Sequence, residues 1–197
     1  MGIEQKIEQM YKALEDMQLT EKLSSVKPEF KRTDGSVSVS FDFKKGADSA
    51  TAANRASQLV ANIACLKDHL RVWCAKNGKP FAGEALINSN REVAIVHDLW
   101  NLDKHAELSR PSRSGLSPKY LNPPRSTMVL KAEPGAPQPM FFIPISGGPI
   151  QTKAGASLRI VADVVDKDGN ALGSLEDICE KAVAAWEAEF GKAGLIL

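Results

Sequence analysis

The sequence predicts an α+β fold in which a central antiparallel helical hairpin lies beside a small antiparallel β-sheet, with amphipathic helices flanking it at both ends. Apolar residues recur every three or four positions in the N-terminal, central and C-terminal stretches, which is typical of helices with one buried face. Between these stretches, apolar and polar residues alternate as they do in strands. A chain of 197 residues is long enough for one core, so residues 1–197 are predicted to form a single domain.

The N-terminal segment, residues 1–30, is predicted to consist mainly of a helix from about Gly2 to Lys22. The helix has an apolar face formed by Ile3, Ile7, Met10, Leu14 and Met17. Such a face can pack on its own domain or on a second copy of the chain, so a homo-oligomer is one prediction. A strand over residues 37–43 follows, because Val37, Val39, Phe41 and Phe43 alternate with polar residues.

Two central helices come next. The first begins near Ser49 and continues to Lys76, where Asn77-Gly78-Lys79-Pro80 ends it. A capping box of Ser89 and Glu92 predicts a second helix from about residue 90 to residue 108. Asp103 falls within the apolar arc of this helix, and a carboxylate there needs a buried partner.

The C-terminal half begins with a basic, Pro- and Ser-rich loop over residues 109–139, with a short strand near residues 127–131. Strands are predicted over residues 140–145 and 158–164, and Asp168-Gly169 is predicted to turn the chain back. Ser174 can then cap a last amphipathic helix that ends at Gly191.

Composition restricts the classes of function. The net charge of +1 gives no overall attraction to nucleic acid, so binding to RNA would depend on a local basic patch. No run of eighteen apolar residues or signal-peptide pattern occurs, which predicts a cytoplasmic protein without membrane association. No nucleotide-binding glycine motif appears, and no cofactor is predicted.

Two polar signatures in the central helices are the candidate site. The first is Leu66-Lys67-Asp68-His69-Leu70 and the second is Asn101-Leu102-Asp103-Lys104-His105. The candidate binding residues are Asp68, His69, Asn101, Asp103, Lys104 and His105, together with Arg110 and Arg113 of the basic loop. The favoured interpretation is a buried polar clasp that fixes the register of the two helices. A divalent-metal site is disfavoured, because adjacent residues of a helix point about 100° apart.

The paired signatures resemble those of a group of uncharacterised bacterial and phage proteins that carry "LDHL" on one helix and "NIDKHR" on the next. Here Lys67 departs from the first signature and Ala106 from the second. A weaker similarity is to HEPN domains, helical RNA-cleaving modules that are often toxins or defence effectors and whose signature is an arginine followed by a histidine. In that signature the histidine follows the arginine after four to six residues, and Arg91 and His97 match it with five residues between them. The resemblance implies dimerisation and metal-independent cleavage, with His97 as general acid or base and Arg91 stabilising the phosphorane.

The sequence therefore supports two hypotheses. The first is a non-catalytic binding or interaction protein of a bacterium or phage, with a role in defence or counter-defence, acting through its N-terminal apolar face or its basic loop. The alternative is a HEPN-like ribonuclease in which Arg91 and His97 are catalytic and RNA or a nucleotide is the substrate.

Overall fold

Five helices make up most of the regular secondary structure in the computed structural model, which describes residues 2–19, 27–33, 36–42, 49–105, 111–130, 140–142, 151–153 and 156–195. The helices of these residues are α1 Ile3–Asp16, α2 Ser49–Asn77, α3 Gly83–Ser89, α4 Arg91–His105 and α5 Leu175–Ala193. Together with the strands described below, they confirm the predicted α+β class. The short helix α3 lies in the connection between α2 and α4, where only a linker was predicted.

Ten short strands are present in the described residues, and every pairing between these strands is antiparallel. Their bounds are β1 Gln18–Leu19, β2 Lys27–Thr33, β3 Ser36–Asp42, β4 Lys119–Tyr120, β5 Arg125–Leu130, β6 Met140–Phe142, β7 Gln151–Lys153, β8 Ala156–Val161, β9 Asp163–Val165 and β10 Ala171–Ser174. They form two three-stranded sheets, β1-β8-β5 and β10-β9-β4, and two hairpins, β2-β3 and β6-β7. The β part is therefore divided among small sheets, whereas one sheet was predicted.

The core is organised around α2, which packs against α1, α4 and α5. Its inward face is fully or almost fully buried and consists of Leu59, Ile63, Leu66, Leu70 and Cys74. The spacing of these residues is that of one face of a helix, as predicted. On α4, an unbroken run from Val93 to Leu99 is buried, so this helix is enclosed on more than one side.

The apolar face of α1 is buried within its own chain. Ile3, Ile7, Met10 and Met17 are each at most 4% exposed, and Asn62 of α2 donates a hydrogen bond to the backbone carbonyl of Gln9. This face is therefore not available for a second copy of the chain.

The predicted extent of the first helix is wrong, because α1 ends at Asp16 and not near Lys22. The chain then pairs with β8: Gln18 lies opposite Arg159, and the amide of Ile160 donates to the carbonyl of Met17 at 2.9 Å. Ladder hydrogen bonds to a distant strand replace the hydrogen bonds that a longer helix would have made.

The helix caps differ by a few residues from those predicted. Asn90, not Ser89, caps α4, since its Oδ1 accepts from the amide of Val93 at 3.0 Å. Ser174 caps α5 as predicted, accepting from the amide of Asp177 at 3.1 Å. The end of α5 is Gly194, with φ of 81°, rather than Gly191, because the left-handed conformation that closes the helix falls three residues later.

Candidate functional site

A groove of about 370 Å³ lies between the start of α1 and the C-terminal third of α2. Its walls carry the first signature, Asp68 and His69, and are completed by Gly2, Ile3, Glu4, Val72, Trp73 and Lys76. Residues 68, 69, 72, 73 and 76 recur at three- and four-residue spacing, so α2 presents them along one stripe of its surface. The groove therefore joins two of the predicted binding residues to an apolar wall.

The groove combines an exposed apolar surface with charges of both signs. Val72 is 51% exposed, an unusual degree for an aliphatic side chain in a helix. Asp68 pairs with Arg71 at 3.2 Å and lies 3.9 Å from the ammonium of Lys67. Glu4 is in the first turn of α1, where a carboxylate is favourable. The groove can therefore hold an apolar group and pair a charged group beside it.

The second signature does not meet the first. Asp103, Lys104 and His105 are exposed at the end of α4, and Asn101 is half-buried. The side chain of Asp68 is also 49% exposed. The predicted buried clasp between Asp68, His69 and Asp103 is therefore wrong. The last turn of α4 extends beyond the packed part of the helix, so its apolar arc is no longer covered there.

The ammonium of Lys104 lies 5.3 Å from the ring centroid of Trp100, an arrangement in which the cation faces the ring. Lys104 and His105 also lie in the last turn of α4, where positive charge is favourable. Both features stabilise the helix end.

The buried carboxylate of α4 is Asp98, which is 1% exposed. It accepts four hydrogen bonds from the following segment: from the hydroxyl of Ser112 at 2.5 Å, the amide of Arg113 at 2.8 Å, and the amide and hydroxyl of Ser114 at 2.9 and 2.6 Å. Charge-assisted hydrogen bonds of this kind are among the strongest in proteins. Asp98 thus fixes the start of the basic segment against α4.

Sequence reasoning missed Asp98 although a signal was present. Asp98 lies about 60° from Ile95 around the helix axis, at the edge of the apolar arc and on the side of Ala94. Ser112-Arg113-Ser114 offers hydroxyl and amide donors in a turn-forming context. Choosing between Asp98 and Asp103 required knowing which turn of α4 is covered.

His97, the predicted catalytic histidine, is 3% exposed and its Nε2 has no hydrogen-bond partner among the described residues. The pKa of His97 is lowered to about 4, first by burial and then by the cations of Lys67 and Arg113, while Glu84 and Asp98 act in the opposite direction. Its ring also makes an edge contact with Trp100, with ring centroids 6.2 Å apart. His97 is consequently neutral at pH 7.

Arg91, the other predicted catalytic residue, is in a different environment. Its guanidinium is half-exposed and pairs with the neighbouring Glu92 at 3.4 Å. The charges that act on the pKa of His97 come from Lys67, Arg113 and two carboxylates, and Arg91 is not among them. The structure therefore surrounds His97 with groups other than its predicted partner.

Glu84 of α3 holds Arg113 close to Lys67. One oxygen of Glu84 lies 3.1 Å from the ammonium of Lys67, and the other accepts a hydrogen bond from Arg113 at 2.8 Å. The hydrogen bond from Arg113 and the neighbouring Lys67 lower the pKa of Glu84, against the raising effect of burial. Arg110 lies outside the described residues.

Two features are absent from the described residues. Within this part of the chain, no three His, Cys, Asp or Glu side chains converge to hold a metal ion. No helix in the same residues has the length and apolar composition needed to cross a bilayer. Comparisons with protein-family models, curated proteins and solved structures find no match to this chain.

Proposed function

We propose that the protein is a non-catalytic binding protein and that the groove between α1 and α2 is its binding surface. The observation that supports this proposal is the groove itself, which joins Asp68 and His69 to the exposed Val72 and to Trp73. A concave apolar lining with a few charged groups beside it suits the binding of a partner's side chain, and here Val72 lies in such a lining with Ile3 and Trp73. A role in defence or counter-defence stays a prediction from the resemblance to HEPN domains.

The chemistry of the groove favours one kind of occupant. A volume of about 370 Å³ accommodates one or two side chains rather than a folded surface. Val72, Trp73 and Ile3 suit an aliphatic side chain, and Glu4, Asp68 and Lys76 are the charged groups of the lining. Asp68 already pairs with Arg71, so Glu4 is the carboxylate that we expect a cation of the occupant to meet. The proposed occupant is a protein segment in which an aliphatic residue is followed by a lysine or arginine.

The binding surface is tested with two blocked dipeptides, acetyl-Leu-Lys-amide and acetyl-Leu-Glu-amide, titrated at millimolar concentration and followed by amide chemical shifts. We expect the first to shift residues 69–76 saturably, with a Kd of about 1 mM or weaker, because so small a ligand buries few atoms. The Val72→Lys variant is expected to weaken this binding at least about fivefold, since burying an added ammonium is unfavourable.

The matched control is Leu121→Lys, because Leu121 is 57% exposed and lies outside the groove lining. This variant has the same change in charge and is expected to bind as the wild type does. Equal loss in both variants, or equal binding of the two dipeptides, would count against the groove as the binding surface.

The second candidate function is the HEPN-like ribonuclease. The observation that favours it is His97, a neutral imidazole whose Nε2 has no hydrogen-bond partner in the part of the chain that the structure describes. Burial and the cations of Lys67 and Arg113 lower its pKa. A neutral histidine can accept a proton from a ribose hydroxyl, provided that RNA can reach it.

This alternative predicts metal-independent cleavage of single-stranded RNA in the presence of EDTA, measured on a labelled oligonucleotide. His97→Gln is expected to reduce the cleavage rate at least about a hundredfold, as the loss of a general base does. Arg91→Gln should also reduce it if the two residues act together. The absence of cleavage by the wild-type protein, or equal cleavage by folded His97→Gln, would exclude a catalytic role for this histidine.

A further inference from the structure

Three elements bring oppositely charged side chains together at one place, outside the groove. Lys67 comes from α2, Glu84 from α3 and Arg113 from the segment that follows α4. Glu84 uses a different oxygen for each cation, at 3.1 Å for Lys67 and 2.8 Å for Arg113. A single carboxylate is thus shared by two cations, and Lys67 also lies 3.9 Å from a carboxylate oxygen of Asp68.

The two cations are held in place by more than this carboxylate. The backbone of Arg113 is fixed because Asp98 accepts hydrogen bonds from its amide and from the two serines beside it. Lys67 lies on the long helix α2 and its side chain is only 18% exposed, so its stem is packed. Removing the Glu84 carboxylate would leave two neighbouring positive charges without their shared anion.

Glu84 is the accessible member of this group. Its side chain is 48% exposed, compared with 34% for Arg113. An exposed carboxylate on a short helix can be displaced by another anion at modest cost, because exposed ion pairs contribute little to stability. A phosphodiester also presents two oxygens about one central atom, so it can pair both cations as the carboxylate does.

We infer that Glu84 is an autoinhibitory contact, an internal carboxylate that occupies Lys67 and Arg113 and so suppresses the binding of a phosphodiester backbone at this place. Two further cations of the same segment, Lys119 and Arg125, are exposed. Single-stranded nucleic acid is the partner class that we infer, since its phosphates can pair Lys67 and Arg113 and its affinity rises with each phosphate neutralised. The inference does not depend on the proposed function of the groove.

The test is the binding of a fluorescein-labelled 20-nucleotide oligouridylate to Glu84→Gln, measured by anisotropy over a range of salt concentrations. We expect binding about tenfold tighter than wild type at low salt. Pairing one phosphodiester with the two freed cations should also make the slope of log K against log salt more negative by about 0.7. The double variant Lys67→Gln, Glu84→Gln leaves only Arg113 to pair that phosphate and is expected to bind more weakly than Glu84→Gln.

The matched control is Glu15→Gln, which also removes an exposed carboxylate from a lysine ion pair, at Lys12 on α1. It has the same net charge as Glu84→Gln and is expected to bind RNA as the wild type does. Equal binding by the two variants would overturn the inference, because net charge alone would then explain the gain. Equally tight binding of polyglutamate to Glu84→Gln would also overturn it, because the site would then not select phosphodiesters.

Discussion

Replacing Asp98 by alanine is expected to lower the free energy of unfolding by about 3–5 kcal/mol. The carboxylate is 1% exposed and accepts four hydrogen bonds from residues 112–114. Alanine would leave the hydroxyls and amides of that segment without their acceptor in a partly buried place. Chemical denaturation followed by tryptophan fluorescence measures the loss.

The control for this prediction is Asp103→Ala, the same substitution five residues further along α4. Because Asp103 is exposed, its replacement is expected to change the free energy of unfolding by less than about 0.5 kcal/mol. Asp98→Asn should fall between the two, since an amide keeps one acceptor oxygen but loses the charge. If Asp98→Ala and Asp103→Ala were equally mild, the four hydrogen bonds would not be what holds this segment to α4.

The stability of the protein is expected to fall by about 3 kcal/mol between pH 6.5 and pH 4 because of His97 alone. Its pKa is about 4 in the folded chain, compared with 6.5 for the unperturbed side chain. In this pH range His97 is protonated in the unfolded chain and neutral in the folded chain. The free energy of unfolding therefore decreases as the pH falls. The contribution is fully present above pH 6.5 and is lost by about pH 4.

The measurement is a series of denaturation curves from pH 7.5 to pH 4 for the wild type and for His97→Gln. The glutamine cannot titrate in this range, so the difference in stability between the two proteins should shrink or reverse as the pH falls. Other groups that titrate in the same window act in both proteins and cancel in the comparison. A difference that stays constant with pH would show that His97 has an ordinary pKa.

These two predictions concern the same part of the molecule. Asp98 fixes Arg113, and Arg113 pairs with Glu84. Burial is the main cause of the lowered pKa of His97, and the cations of Lys67 and Arg113 lower that pKa further. Loosening the segment that contains Arg113 is therefore expected to expose His97 and to release a cation. The stability of the fold, the protonation of His97 and access to the cations Lys67 and Arg113 therefore all depend on residues 112–114.

Much of the helical architecture follows from local sequence. The spacing of Ile3, Ile7, Met10 and Met17 predicted the buried face of α1, and Leu59, Ile63, Leu66 and Leu70 predicted that of α2. Ser174 was predicted as the cap of α5, and Asp168-Gly169 as the turn before its last strand, β10. Such features depend on helical periodicity and on short-range backbone hydrogen bonds, which nearby residues determine.

The strand pairings and the candidate site were harder to predict from the sequence. The strand β2 was not predicted, and α1 ends early because residues 18 and 19 pair with β8, about 140 positions away along the chain. Pairings of this kind depend on which segments meet in three dimensions, and local propensity contains no information on that.

The sequence by itself determined the α+β class, the faces of the helices, and the presence of polar residues among apolar ones on α2 and α4. Only the tertiary structure decided that Asp98 and not Asp103 is the buried carboxylate, that Asp68 and His69 line a groove, and that His97 is buried. A helical pattern gives the direction of a side chain around its axis, whereas its burial and its partners depend on where the other elements cover that axis.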